Sequence, residues 1–180
     1  MRILGAILAG GQSRRFGSDK AAAIVDGKPL IEQVASRLRP QVEELVVVGK
    51  HWPGLDYVPD LPVAGLGPIG GLAGALAHAK QLGFDAVLSS GCDLPDLPSD
   101  LSAQLSDGPA IVADMPIVGL WSAGLADLAI AWLADPANRS AYRFADHVGA
   151  RRVTLRLPLA NINSVKDLPK APLAQTPGTD

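Results

Sequence analysis

Cysteine occurs only once in 180 residues, at Cys92, so no intrachain disulfide can form and nothing in the thiol content calls for an oxidising compartment. The cytoplasm is the expected location. Aromatic residues are also scarce. Three Trp, three Phe and two Tyr leave the core to Ala, Val, Leu and Ile, a composition that suits stacked α/β layers. No apolar run reaches membrane-spanning length, so no membrane partner is expected. The apolar residues 1 to 12 lack an extended basic leader and run into Gly10-Gly11 rather than into a small-residue cleavage site. With 16 Lys and Arg against 18 Asp and Glu the net charge is -2, which argues against the broad basic face of a nucleic-acid binder. His51, His78 and His147 lie too far apart for metal-ligand spacing and read as ordinary surface or core residues. Trp52, Trp121 and Trp132 read as packing residues.

Against that spare background one segment stands out, Leu8-Ala9-Gly10-Gly11-Gln12-Ser13-Arg14-Arg15-Phe16-Gly17-Ser18-Asp19-Lys20. It follows Ile3 to Leu8, a short apolar run of the kind that forms a strand buried on both faces of a parallel sheet. The loop should therefore open at that strand's carboxyl end, where open α/β folds bind ligands. Gly10 and Gly11 have no Cβ, so backbone amides there can approach a ligand and form an anion-binding concavity. Arg15 offers planar donors to phosphate oxygens, and Lys20 a compact charge that can follow a phosphate through its transition state. Asp19 stands ready to orient that lysine. A Walker P-loop is excluded, because Gly17 is three residues before Lys20 and Ala21 follows it. Gly65, Gly67 and Gly70 spell a Gly-x-Gly-x-x-Gly, but Pro59 and Pro62 make the preceding residues a poor central strand for a dinucleotide site.

The other candidates read two ways from spacing alone. Asp93 follows the apolar Ala86 to Gly91 and can either hold Mg²⁺ against a triphosphate or cap the turn before Pro95. Asp60, between Pro59 and Leu61-Pro62, is either a turn former or an acceptor for the ring and exocyclic nitrogens of a base. Asn161 and Asn163 share one face of an extended segment, and Asn163 can also cap a helix beginning near Val165. Arg151, Arg152 and Arg156 form a second basic cluster that reads as a solvated strand edge.

The loop from Leu8 to Lys20 matches Leu-Ala-Gly-Gly-x-Ser-x-Arg-x-Gly-x-Asp-Lys in full and resembles the nucleotide-binding loop of the molybdenum cofactor guanylyltransferases. Gly27-Lys28-Pro29-Leu30, Val58-Pro59-Asp60, Gly67-Pro68-Ile69-Gly70-Gly71-Leu72, Cys92-Asp93-Leu94-Pro95 and Asn161-Ile162-Asn163-Ser164 follow in the same order. The resemblance implies a three-layer, Rossmann-like nucleotidyltransferase fold with a mostly parallel central sheet. It implies transfer of GMP from GTP to the phosphate of molybdopterin with release of pyrophosphate, Mg²⁺ as cofactor, and cofactor-synthesis proteins as candidate partners. Lys20, Arg15 and Asp93 would be catalytic. Leu8, Ala9, Gly10, Gly11, Lys20, Asp60 and Asp93 would bind the nucleotide, Asp93 the metal, and Asn163 the metal or acceptor. A related enzyme using CTP or another phosphorylated acceptor, and a non-catalytic nucleotide-binding regulator, are the alternatives. Three features depart from the family pattern: the interval Asp107 to Val118 is short, Val48-Gly49-Lys50 stands where a nucleotide-contacting Asn is often found, and Leu159-Ala160 replaces bulkier apolar residues before Asn161.

Apolar runs at Ile3–Leu8, Leu45–Val48, Ala86–Leu88, Ala110–Val112 and Ile117–Leu120 predict strands. Helical patterns alternate with them over Lys28–Leu38, Gly71–Gln81, Leu97–Leu105 and Ala123–Leu133, and over Ser140–Val148 with Ser140 as cap. Arg152–Leu157 alternates like an edge strand with one wet face. Residues 1–169 are expected to form a single domain, and 170–180, rich in proline and small residues, a disordered tail.

Overall fold

A computed structural model describes residues 1–10 and 20–159. In chain order the elements are β1 (Ile3–Leu8), the short strands β2 (Ile24–Val25) and β3 (Lys28–Pro29), α1 (Leu30–Leu38), β4 (Glu44–Val48), β5 (Asp56–Val58), α2 (Pro68–Gln81), β6 (Ala86–Gly91), α3 (Leu101–Gln104), β7 (Ala110–Val112), β8 (Met115–Ser122), α4 (Ala126–Trp132), α5 (Ala141–His147) and β9 (Arg151–Val153). Seven strands form one sheet in the order β5-β4-β1-β6-β8-β7-β9. β8 pairs antiparallel with both β6 and β7, while the remaining pairings are parallel. The sheet is thus mostly parallel, and the expected three layers are present.

The layers follow from strand alternation. Leu4 and Ala6 of β1, with Val46 and Val48 of β4, face the core shared with α2, α4 and α5, whereas Ile7 and Val47 face the core shared with α1 and α3. β6 is buried along its whole length, and its two serines are satisfied internally. Ser89 Oγ donates to the Ile117 carbonyl at 2.6 Å and accepts from Trp121 Nε1 at 2.9 Å. Trp121, fully buried, packs near Phe144 in the aromatic part of the first core.

Strands β1 and β7 fall on their expected residues, while β4, β6 and β8 extend past theirs at one or both ends. Helix α2 begins three residues earlier than its apolar pattern, because Pro68 sits in its first turn behind Gly67 at φ +75°. The helix expected over Leu97–Leu105 shrinks to α3. Gln41, from across the domain, takes its entry groups, accepting from Ser102 N at 2.9 Å and donating to the Pro98 carbonyl at 2.9 Å. The pattern over Ala123–Leu133 divides into a 3-10 turn, Ala123–Leu125, and α4. Ser140 caps α5 as expected, accepting from Arg143 N. The shortened Asp107–Val118 interval is a tight hairpin in which Val112 pairs with Met115. At the sheet edge, β9 stops at Val153, well short of Leu157. No described helix is long and apolar enough to cross a membrane. The expected tail at 170–180 lies outside the described residues.

Candidate active site

From β1 the chain moves to β4 and β5 on one side of the sheet and then returns to β6 on the other. This reversal makes the carboxyl ends of β1 and β6 a topological switch point, the place where a doubly wound sheet accepts ligands. Gly10 lies two residues beyond β1, Asp60 two beyond β5 and Asp93 two beyond β6. Parallel pairing therefore brings residues far apart in sequence to one edge.

Lys20, in the 3-10 turn Lys20–Ala22, donates from Nζ to Asp93 Oδ2 at 2.6 Å. Both side chains are well shielded, at 15% and 16% exposure. Asp19, which spacing suggested as an orienting carboxylate, lies outside the described residues; among these, Asp93, 73 residues further along the chain, meets Lys20. Asp93 can fold back over the end of β6 because Gly91 is there, where a Cβ would lie 2.6 Å from Asp93 Oδ1. Cys92, beside it, is mostly buried, and its thiol is pushed up to about 11, by burial first and then by the Asp93 charge, with Lys20 and Lys50 pulling the other way. Both lysine charges thus reach the end of β6.

Asp60 lies on the same edge, just beyond β5. A Cβ placed on Gly10 would lie 3.2 Å from its Oδ2, and one on Gly71 3.6 Å from its Oδ1, so bare backbone surrounds the carboxylate. Burial raises its pKa above the usual 3.8, and a hydrogen bond from the Gly65 backbone works against the rise. Glycines 65, 67 and 70 thus belong to the loop and helix behind Asp60, and not to a dinucleotide fingerprint. Leu8 and Ala9 are partly buried and Gly10 is exposed; the Ala9 amide is engaged by the Val48 carbonyl at 3.0 Å, which joins the loop's first residues to β4. Gly11, Arg15 and Asn163, also expected in the site, lie outside the described residues.

The second basic cluster is accounted for by neighbours. Arg151 Nη2 donates to the Ser106 carbonyl, Arg152 pairs with Asp146 at 2.7 Å, and Arg156 with Asp100 at 3.2 Å, all at the exposed β9 side. The tryptophans and two of the histidines, His51 and His147, are packing partners. His51 stacks on Tyr57 at 3.9 Å, and Trp132 lies between Phe144 and His147.

A family model described as a MobA-like NTP transferase domain matches residues 5–153. The chain is similar to a molybdenum cofactor guanylyltransferase of Cereibacter sphaeroides, with 37% identity over 186 aligned residues covering 95% of this chain and 96% of the relative. Its fold is similar to that of molybdopterin-guanine dinucleotide biosynthesis protein A from Archaeoglobus fulgidus, with a TM-score of 0.72, 20% identity, and coverage of 91% and 94% of the two chains. It is also similar to that of a Mycobacterium tuberculosis protein solved in complex with manganese, with a TM-score of 0.61, 13% identity, and coverage of 93% and 96%.

Proposed function

The chain belongs to the MobA-like NTP transferase family, and on that premise we propose that it transfers GMP from GTP to the phosphate of molybdopterin, releasing pyrophosphate. The observation that carries the proposal is the convergence of Lys20, Asp93 and Asp60 with the Leu8-Ala9-Gly10 backbone at the carboxyl edge of the sheet.

Each group has a task its surroundings support. Asp60, an acceptor-only carboxylate when ionised, can take the two adjacent N–H donors of guanine. Leu8, Ala9 and Gly10 offer main-chain groups to base and ribose, and Gly11 and Arg15 would extend that cradle over the phosphates. Lys20 holds a charge in a shielded position next to where the α-phosphate would lie, which is where a preorganised cation is most effective. The acceptor phosphate is already an anion, so no general base is needed and rate comes from alignment and charge neutralisation.

Asp93 fits a divalent cation. Magnesium takes oxygen ligands, commonly one or two carboxylates completed by waters and substrate phosphates. When bound, Mg²⁺ would neutralise charge on the α-phosphate and the departing pyrophosphate. Asn163 would add an amide oxygen to the metal or the acceptor. Lys20 orients Asp93, and the two side chains would hold the phosphates and the cation when these are bound.

The test is pyrophosphate release with molybdopterin as acceptor and GTP, CTP or ATP as donor, with and without Mg²⁺. Release with GTP and Mg²⁺ alone is expected. Release with CTP would make the chain a cytidylyl enzyme, and GTP binding without release would redirect the search to another acceptor or to a regulatory role.

A further inference from the structure

Gly49 touches the two parts of the site that face the base. Its φ is +78°, and a Cβ built on it would lie 2.7 Å from Asp60 Oδ1 and 2.7 Å from the Gly10 Cα. Both distances are below any ordinary Cβ contact, so a side chain here forces something to move.

What moves is decided by what is held. The Asp60 backbone is locked by α2: Leu61 N donates to the Gly70 carbonyl at 3.0 Å, and a Cβ on Gly74 would collide with the Pro59 carbonyl oxygen. The β4 end is locked as well, since Gly49 N donates to the Val58 carbonyl at 3.0 Å and Ala9 N to the Val48 carbonyl at 3.0 Å. The Gly10 backbone must give way as well, but the Asp60 carboxylate, at the end of a rotatable side chain, is the softer of the two neighbours at 2.7 Å. It would turn away first.

We infer that Gly49 is a positioning residue that sets the Asp60 carboxylate and through it the choice of nucleotide base. This rests on the assignment of Asp60 to base recognition. A left-handed φ alone would make any substitution at 49 costly, so backbone strain has to be separated from contact. Gly54 provides the control. Its φ is +76°, and a Cβ on it meets nothing within 4 Å.

The experiment measures equilibrium dissociation constants for GTP, ITP, CTP and ATP, with Mg²⁺ present, on wild type, Gly49→Ala, Gly54→Ala, Asp60→Ala and Gly49→Ala/Asp60→Ala, with melting temperatures alongside. Binding alone is read, so the identity of the acceptor does not enter. Gly49→Ala is expected to reduce the preference for the favoured base by about tenfold, the scale of one charge-assisted hydrogen bond. Gly54→Ala should lose only the stability that a left-handed φ costs, less than Gly49→Ala loses, and keep the wild-type preference. In the Asp60→Ala background Gly49→Ala should alter the preference no further, because the two act through one carboxylate. An unchanged preference in Gly49→Ala beside a lost one in Asp60→Ala would overturn the inference alone, as would equal effects of the two glycine variants. A preference that survives Asp60→Ala would overturn the assignment of Asp60 to the base and this inference with it.

Discussion

Two ion pairs of nearly equal length sit in opposite settings. Lys20 meets Asp93 at 2.6 Å with both side chains shielded at the carboxyl edge of the sheet. Arg152 meets Asp146 at 2.7 Å beside β9, with 51% and 60% of the side chains in water. Water and salt screen the second pair, and holding two long side chains in register offsets most of its attraction. In the first pair the same charges act in a region of lower effective dielectric, where they can influence a third group. The length of an ion pair therefore reveals little about its purpose. The strand end on which it sits, and what shields it, reveal more.

The comparison is broken most sharply at its shielded end. Lys20→Ala should remove about 2–4 kcal/mol of transition-state stabilisation, roughly 30- to 1,000-fold in kcat. Pyrophosphate release at saturating nucleotide measures it, and unchanged turnover would end the assignment. Asp93→Ala should abolish the metal-dependent part of the rate, checked by titrating Mg²⁺ against activity; full activity in chelator would contradict it.

Acid should act next, through Asp60. Burial raises its native pKa above 3.8, so GTP affinity should weaken as pH falls through that raised value, at a higher pH than an ordinary carboxylate would give. The sign for stability is the reverse. The folded chain holds this proton more tightly than the unfolded one, so between 3.8 and the raised value stability declines as pH rises. Asp60→Asn should flatten both dependences, as nucleotide titrations and melting curves across pH would reveal.

A smaller effect concerns Cys92. With its thiol pushed up to about 11 and mostly buried, it should resist iodoacetamide at neutral pH, in contrast to an exposed thiol. Labelling followed by mass spectrometry would show this, and rapid alkylation at pH 7 would contradict the burial. The least effect is expected at the exposed pair, where Arg152→Ala should leave both the melting temperature and pyrophosphate release at wild-type values.

The fold was legible where local signals agreed. Ile3–Leu8 reads as a buried strand because its apolar residues are continuous and glycines close it, and Ser140 reads as a cap because its hydroxyl can reach an amide within its own turn. Strand β5 was missed because three residues beside Pro59 carry too little pattern, and α3 was overestimated because its entry groups are taken by Gln41, 61 residues away from Ser102. Motif and position pointed to Lys20, Asp60 and Asp93, which the fold brings to one edge of the sheet. The pairing of Lys20 with Asp93 was not legible there, and neither was the glycine setting of Asp60. Gly49 carried a signal in the sequence, as the small residue closing a Val-rich strand, but nothing there connected it with Asp60.

Composition and periodicity by themselves determined a layered α/β domain with a glycine-rich loop at the end of its first strand, since these depend on contacts within a few residues of each other. Only the tertiary structure decided that Lys20 faces Asp93 and that Gly10, Gly49 and Gly71 close around Asp60. Those contacts arise where parallel strands distant in sequence end side by side, and the order of strands in the sheet is settled by how two cores pack against its faces, which no local stretch of sequence encodes.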